Sequence, residues 1–307
     1  MKIFHHNDND GRCAAFLFWK WLEREAVASW LGDNTDEVEM DTAKVSEADF
    51  IEMNYNRRLP LELIKEGETV YFLDFHPEKQ EDYLWLCEHT DLMIVDHHKT
   101  TEQHLADMER EYHGEKEPPS SHIIDMEACG AMLVARHFLG FNDETMPYFV
   151  AAVDDWDRWV HKDPAARLFN AGSRVHDTSP FGTFWNTLYC EYESEMTGVD
   201  SFLWTLFVEG RTIIDSVAMQ AKELCKSIGF ETEFEGYKCF ALNQAQCNST
   251  WFDSVPDYDI HLKFYFNGTN WTVGLYSTTV DVSVIAKKHG GGGHTGAAGF
   301  VCDRLPF

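Results

Sequence analysis

Near its start the chain carries His6, Asp8 and Asp10 at alternating positions in HNDNDG, residue types that grip hard or borderline divalent cations. In an extended turn after a strand, such side chains can point to one side. The same types recur as Asp74 at the end of the apolar run YFLD, as Asp96-His97-His98 after DLMIV, and as Asp154-Asp155-Trp156-Asp157. Carboxylate and imidazole suit Mn²⁺, Mg²⁺ or Zn²⁺, and no thiolate set accompanies them as a structural zinc site would require. Each cluster alone has a plainer explanation. Asp, Asn and His are turn formers, Asp74 could cap a helix, and a solvated acidic face is common in an acidic protein. Taken together they supply too many ligands for one catalytic ion, and a shared carboxylate would set two ions about 3.5–4 Å apart, an arrangement suited to phosphoester hydrolysis.

The elements needed to bring these clusters together can be read from the patterning. Lys2 to His5 predicts a short strand, and Gly11 opens the apolar-periodic stretch GRCAAFLFWKWLER of a helix. TVYFLDF from Thr69 and DLMIV from Asp91 read as buried parallel strands, with a helix between them over Glu78 to His89. Alternating strand and helix gives an α/β open sheet, in which ligands bind beyond the carboxyl ends of the strands. His6, Asp74 and Asp96 all fall there. The polar segment from Arg110 to Ser121, with its Pro pair, reads as a loop. Further helices are expected over Glu127 to Phe138 and Glu144 to Val153, and a long connecting helix over Phe202 to Ser227. From Gly229 the pattern changes to YKCFALN, IHLKFYFN and WTVGLYS, the runs of paired strands. The organisation expected is a metal-binding domain over 1–195, a connecting helix over 196–228 and a smaller α/β domain over 229–307.

With 307 residues and 44% apolar content the chain can form two cores of ordinary size. Its 52 Asp+Glu against 25 Lys+Arg give a formal charge of −27, which repels long polyanions unless cations reverse the field at a site. Eight scattered cysteines without a CxxC pair fit reduced thiols. The polar amino terminus lacks the apolar core of a signal peptide, and no apolar run approaches membrane length. A cytoplasmic protein without a membrane partner is the expectation.

The ordered set HxDxDG at His6 to Gly11, strand-end Asp74, DHH at Asp96 to His98, an acidic fourth motif and GGGGHTGAAGF at Gly290 to Phe300 resembles the DHH phosphoesterase superfamily, specifically members with a DHHA1 carboxy-terminal domain. The resemblance spans nearly the whole chain. It implies a parallel-sheet DHH domain with helices on both faces, a smaller α/β DHHA1 domain, and an active site in the cleft between them. It further implies two divalent cations, Mn²⁺ or Mg²⁺. His6, Asp8 and Asp74 would bind one, and Asp10, Asp74, His97 and Asp155 the other, with Asp154 the alternative at the fourth motif. His98 would contact the scissile phosphate, and Asp96 would orient the imidazoles. Gly291, Gly292, Gly293, His294 and Ser277 would contact substrate. The glycines let backbone N–H groups approach a phosphate closely. One departure is Tyr276 before Ser277, where many relatives carry Arg.

The function implied is hydrolysis of short oligonucleotides or dinucleotides to mononucleotides, in the manner of a nano-RNase acting 3′ to 5′. Strong negative charge favours short over long substrates and excludes long duplexes, because counterion release contributes little without a basic track. Hydrolysis of phosphoanhydrides or nucleoside bisphosphates by the same ions is the second reading, and a nucleotide-binding regulatory protein the third. A homodimer is compatible with the sequence.

Overall fold

In the computed structural model, residues 1–31, 46, 49–55, 57–110 and 120–307 are described, so residues 111–119 of the polar segment lie outside them. The chain divides into two compact units, Met1–Arg211 and Thr212–Phe307.

In the first unit, β1 (Lys2–His6), α1 (Asn9–Leu31), β2 (Phe50–Met53), β3 (Glu68–Leu73), α2 (Gln80–His89), β4 (Thr90–Asp96), α3 (Lys99–Arg110) and β5 (Ser120–Ile124) alternate along the chain. The strands form a sheet in the order β2-β1-β3-β4-β5, parallel at every pairing. Four helices follow: α4 (Gly130–His137), α5 (Tyr148–Asp157), α6 (Pro164–Ser173) and α7 (Thr183–Glu193).

The apolar strand runs arise because both faces are covered. Ile3, Tyr71, Leu73 and Val95 pack with residues of α1, α4 and α5, whereas Phe4, Val70, Phe72, Leu92 and Ile94 pack with α2 and α3 on the opposite face. With side chains alternating at period two, such strands are apolar throughout. The helix after β1 thus leaves to one face and the helix after β3 to the other. The adjacent ends of β1 and β3 form the crevice in which open α/β sheets bind ligands.

Helix α8 (Phe202–Ile228) carries the division between the units. In the second unit β6 (Phe230–Phe234), β7 (Tyr237–Asn243), β8 (Ile260–Phe266), β9 (Trp271–Tyr276), α9 (Val282–Lys288), β10 (Gly292–His294) and β11 (Ala297–Cys302) form a mixed sheet of order β10-β11-β9-β8-β7-β6. Helix α9 covers one face through Val282, Ile285 and Ala286, while Ala221 and Cys225 pack with Phe240 and Leu242 on the other. Among the described residues no helix is long and apolar enough to cross a membrane.

A tight junction in the first unit is where α1 starts against the end of β1. A Cβ on Gly11 would collide with the backbone of His6. Neither partner is a flexible side chain, so relief requires backbone movement. Gly11→Ala should therefore cost about 1–3 kcal/mol in urea denaturation, with the loss appearing as a lower midpoint at unchanged slope.

Candidate metal centre

The carboxyl ends of β1, β3 and β4 each deliver part of one cluster. His6 is the last residue of β1, and Asp8 follows in the turn before α1. Asp8 Oδ1 accepts from the Gly11 N–H at 3.0 Å, the bond an N-cap makes, and so fixes the turn. Its Oδ2 lies 2.7 Å from His6 Nδ1, without the alignment of a hydrogen bond.

Asp10 is buried, and its two oxygens accept from the N–H groups of Gly130 and Ala131, each at 2.7 Å. These are the first residues of α4. A helix amino terminus offers free donors and a positive dipole end, which is how a carboxylate can be held there without water. Gly130 is needed for the approach, since a Cβ there would lie 2.5 Å from Asp74 Cβ.

Asp74 leaves β3 with a φ of 54°, a left-handed conformation that Asp tolerates better than most side chains. Its residue is 1% exposed, yet neither carboxylate oxygen has a hydrogen-bond partner. Oδ2 faces His6 Nδ1 at 3.5 Å, and Oδ1 faces His97 Nε2 at 3.2 Å. His97 Nε2 also lies 3.5 Å from Asp10 Oδ2 and 3.2 Å from Asp157 Oδ2. The ligand atoms of His6, Asp8 and Asp74 thus fall within 4.8 Å of one another, as do those of Asp10, His97 and Asp157. Asp74 turns one oxygen toward each group.

Buried carboxylates without donors are strongly disfavoured. Burial, then the charges of Asp74 and Asp157, push the Asp10 carboxyl well above its usual range, and burial and then Asp8 raise that of Asp74. Burial would lower the two imidazoles, but the carboxylates outweigh it. Asp74 and Asp8 raise His6 to about 10, while Asp157 and Asp74 raise His97 to about 11. The cluster thus favours positive charge among its carboxylates, which divalent cations would supply. The unpartnered Asp74 oxygens, His6 Nδ1 and His97 Nε2, together with an all oxygen and nitrogen donor set, fit such ions.

Asp96 is fully buried and serves differently. Oδ1 accepts from the His97 N–H at 2.7 Å and from His98 Nδ1 at 2.7 Å. Oδ2 accepts from Thr101 Oγ1 at 2.6 Å and contacts His76 Nδ1 at 3.1 Å. Burial alone would raise the Asp96 carboxyl, but the bonds from His76, His98 and Thr101 hold it below the usual range. With His98 Nδ1 engaged, Nε2 is left as its outward donor or acceptor.

The fourth motif differs from the sequence expectation. Helix α5 does not stop at Val153 but continues through Asp157, so Val150, Val153, Asp154 and Asp157 follow one helical stripe. The carboxylate this brings to His97 is that of Asp157. Asp155 Oδ1 instead accepts from the N–H groups of Lys162 and Asp163 at 2.8 and 3.3 Å. Asp154 accepts from the Cys129 N–H at 2.7 Å and from Arg158 Nε at 2.9 Å. Asp157 was within view in the sequence, but only a helix extended by one turn singles it out. His76 and Thr101 had no signal beyond their nearness to Asp74 and Asp96, nor had Tyr55, whose ring lies 5.2 Å from His6 and 6.0 Å from His98.

In the second unit the glycine run forms one strand of a hairpin, Gly292 to His294 paired with Ala297 to Gly299. Lys263, Gly274, Gly299 and Gly292 fall in one row across four strands. They line a shallow depression with Gly291 and Gly293, and His294 is exposed. The Ser277 hydroxyl, expected at the substrate, donates to the Asp259 carbonyl at 2.6 Å and accepts from the Thr279 and Val280 N–H groups. Its bonding is that of a turn.

Exchanging the fourth-motif residues separates their roles. Asp157→Asn should weaken Mn²⁺ binding by calorimetry about tenfold or more, whereas Asp155→Asn should leave affinity within about threefold while lowering thermal stability. A second expectation concerns pH in the ion-free protein. Because His6 and His97 lie above the ordinary histidine value of about 6.5, their stabilisation is fully present below that pH and is lost as pH rises through 10 to 11. Urea denaturation of the chelated protein should show this loss, and its difference from His97→Gln should isolate it. A difference that grows with pH instead would contradict the pairing.

No protein-family model matches the chain. It is 26% identical over 230 residues to the uncharacterized protein R106 of Acanthamoeba polyphaga mimivirus, covering 67% of this chain and 47% of that protein, so the chain spans about half the length of the curated relative it matches. Solved structures to which it is similar include a pGpG-specific phosphodiesterase, PggH, from Vibrio cholerae (16% identity, 98% of this chain and 93% of that one, TM-score 0.47). An exopolyphosphatase-related protein from Bacteroides fragilis follows at 13% identity, 99% and 86% coverage and a TM-score of 0.45. RecJ with Mn²⁺ from Thermus thermophilus has 15% identity, 98% and 49% coverage and a TM-score of 0.43. The HxDxDG, strand-end Asp74, DHH and fourth motifs, which resemble those of the DHH phosphoesterases in their order along the sequence, thus converge on one buried cluster at the end of a parallel sheet.

Proposed function

We propose that the protein is a two-metal-ion phosphodiesterase that hydrolyses short oligonucleotides or dinucleotides to mononucleotides. The observation that carries this reading is Asp74, a buried carboxylate whose two unpartnered oxygens face two separate groups of ligands. In the proposal His6, Asp8 and Asp74 hold one ion, and Asp10, Asp74, His97 and Asp157 hold the other, with Mn²⁺ or Mg²⁺ suited to the donor set. When bound, such a pair supplies an acidified water and neutralises charge on phosphate oxygens.

The chain's own groups position the reactants. Asp96 holds His98 through Nδ1, which leaves Nε2 to donate to a phosphate oxygen or leaving group. The Asp96 network keeps that ring from rotating. Gly291, Gly292, Gly293 and His294 of the hairpin would offer N–H donors to a second part of the substrate, whereas Ser277 is assigned to its turn. A formal charge of −27 favours a short substrate whose phosphates are neutralised locally. Eight free cysteines suit a reducing compartment such as the cytoplasm.

The test is a panel of labelled dinucleotides, 5-mers, 24-mers, pyrophosphate and a nucleoside bisphosphate with Mn²⁺. Dinucleotides and 5-mers should turn over fastest, and Asp74→Ala and His97→Ala should each reduce kcat by about a thousandfold, the order expected when transition-state charge stabilisation is removed. Faster cleavage of pyrophosphate than of any dinucleotide would move the assignment to phosphoanhydrides. Unchanged activity in both variants would remove the two-ion centre.

A further inference from the structure

Trp159 is 77% exposed, the most exposed large apolar side chain among the described residues. It stands two residues beyond Asp157, at the start of a loop whose backbone is unusual. Trp159 and His161, neither of them glycine, both adopt left-handed conformations, with φ of 56° and 50°. Side-chain-bearing residues in that region persist only where their surroundings enforce it, and such positions concentrate at functional sites.

The enforcement is visible. The Asp155 carbonyl accepts from the Val160 and His161 N–H groups at 3.0 and 3.2 Å. Its carboxylate takes the next two, those of Lys162 and Asp163. Arg158 is tied to Asp154 and to the Met126 carbonyl. The His161 ring meets Trp156 at 5.0 Å and Trp159 at 5.1 Å, in both cases steeply inclined. The indole is therefore held outward by a braced loop rather than left there by slack chain.

We propose that Trp159, braced by His161 and Trp156, is a stacking platform for the base of a nucleotide whose phosphate lies at Asp157 and His97. The inference rests on the phosphodiesterase reading and narrows it to substrates that carry a base. Two observations choose this occupant. Asp157, the last residue of α5, presents its carboxylate to His97, and Trp159 follows two residues later beyond the same helix end. Arg158, Lys162 and Asp163 lie within four residues of Trp159 in sequence, so the exposed ring, flanked by Val160 and His161, stands in a charged stretch of chain. That suits a planar, polar-edged ligand better than an apolar protein face. In an acidic chain such a ring also supplies binding that does not depend on cations.

The experiment compares a 5′-phosphorylated dinucleotide with the same compound lacking the base at one position, in the Mn²⁺-loaded enzyme. Trp159→Ala should raise KM for the intact dinucleotide about tenfold or more, the scale of base stacking on an aromatic ring. In this variant kcat should stay within about twofold, and KM for one of the two abasic isomers should not change. Trp159→Phe should recover most of the wild-type KM. Equal effects on the intact and both abasic substrates, or an unchanged KM for the dinucleotide, would overturn the platform. If the wild type cleaves no phosphodiester, the phosphodiesterase reading fails separately, and AMP titration with Mn²⁺ judges the platform. A Kd weakened about tenfold by Trp159→Ala, and unaltered by Trp204→Ala at another exposed indole, would support it, and equal Kd values in all three proteins would refute it.

Discussion

Asp74 is buried at the end of a central strand, and its carboxylate oxygens have no hydrogen-bond donor. Asp10 is buried beside it, and Asp8 and Asp157 flank the pair from partly exposed positions, so that negative charge accumulates around it. At such distances and in a medium less polar than water, like charges repel by several kcal/mol per pair. The cluster is tolerable only when positive charge enters it, as protons on His6 and His97 or as bound cations. The rest of the first unit can be understood as the framework that holds this unfavourable arrangement in place.

That framework assigns different partners to residues of one type. Asp10 is held by the free N–H groups of α4, Asp96 by Thr101, His76 and two N–H donors or rings of the DHH triplet, and Asp8 by the first turn of α1. Asp154 and Asp155 bind Arg158 and the following loop. Asp74 and Asp157 turn carboxylate oxygens toward His97 without such donors from the backbone, and the second oxygen of Asp155 is also buried without a partner. The close approach of α4 to the end of β3 depends on Gly130, just as that of α1 to the end of β1 depends on Gly11. Packing thus sets electrostatics, since a small displacement of either helix would expose or separate the carboxylates.

The strand-end residues were legible because parallel strands buried on both faces appear as unbroken apolar runs, and the polar residue that ends such a run marks the carboxyl edge. His6, Asp74 and the Asp96 triplet all follow from that rule. The helix of the fourth motif was legible only in part. A helix was expected over Glu144 to Val153, where the apolar residues end, whereas the observed one begins at Tyr148 after Pro147 and DDWD carries no break. The structure continues it, and Asp157 replaces Asp155 at the cluster. His76 and Ser277 depend on partners more than 17 residues away in sequence, His76 on Asp96 and Ser277 on Asp259, and no local pattern encodes such partners. The glycine run was legible as a motif, yet its pairing as a β-strand follows from the register with Ala297 to Gly299.

The most direct measurement is anomalous diffraction from a crystal of the protein soaked in Mn²⁺, recorded at the manganese absorption edge. Two peaks about 3.5–4 Å apart, one beside His6 and Asp8, the other beside His97 and Asp157, with an Asp74 oxygen on each, are what this account predicts. A single peak that leaves Asp74 unligated, or two peaks joined through Asp155 in place of Asp74, would contradict it.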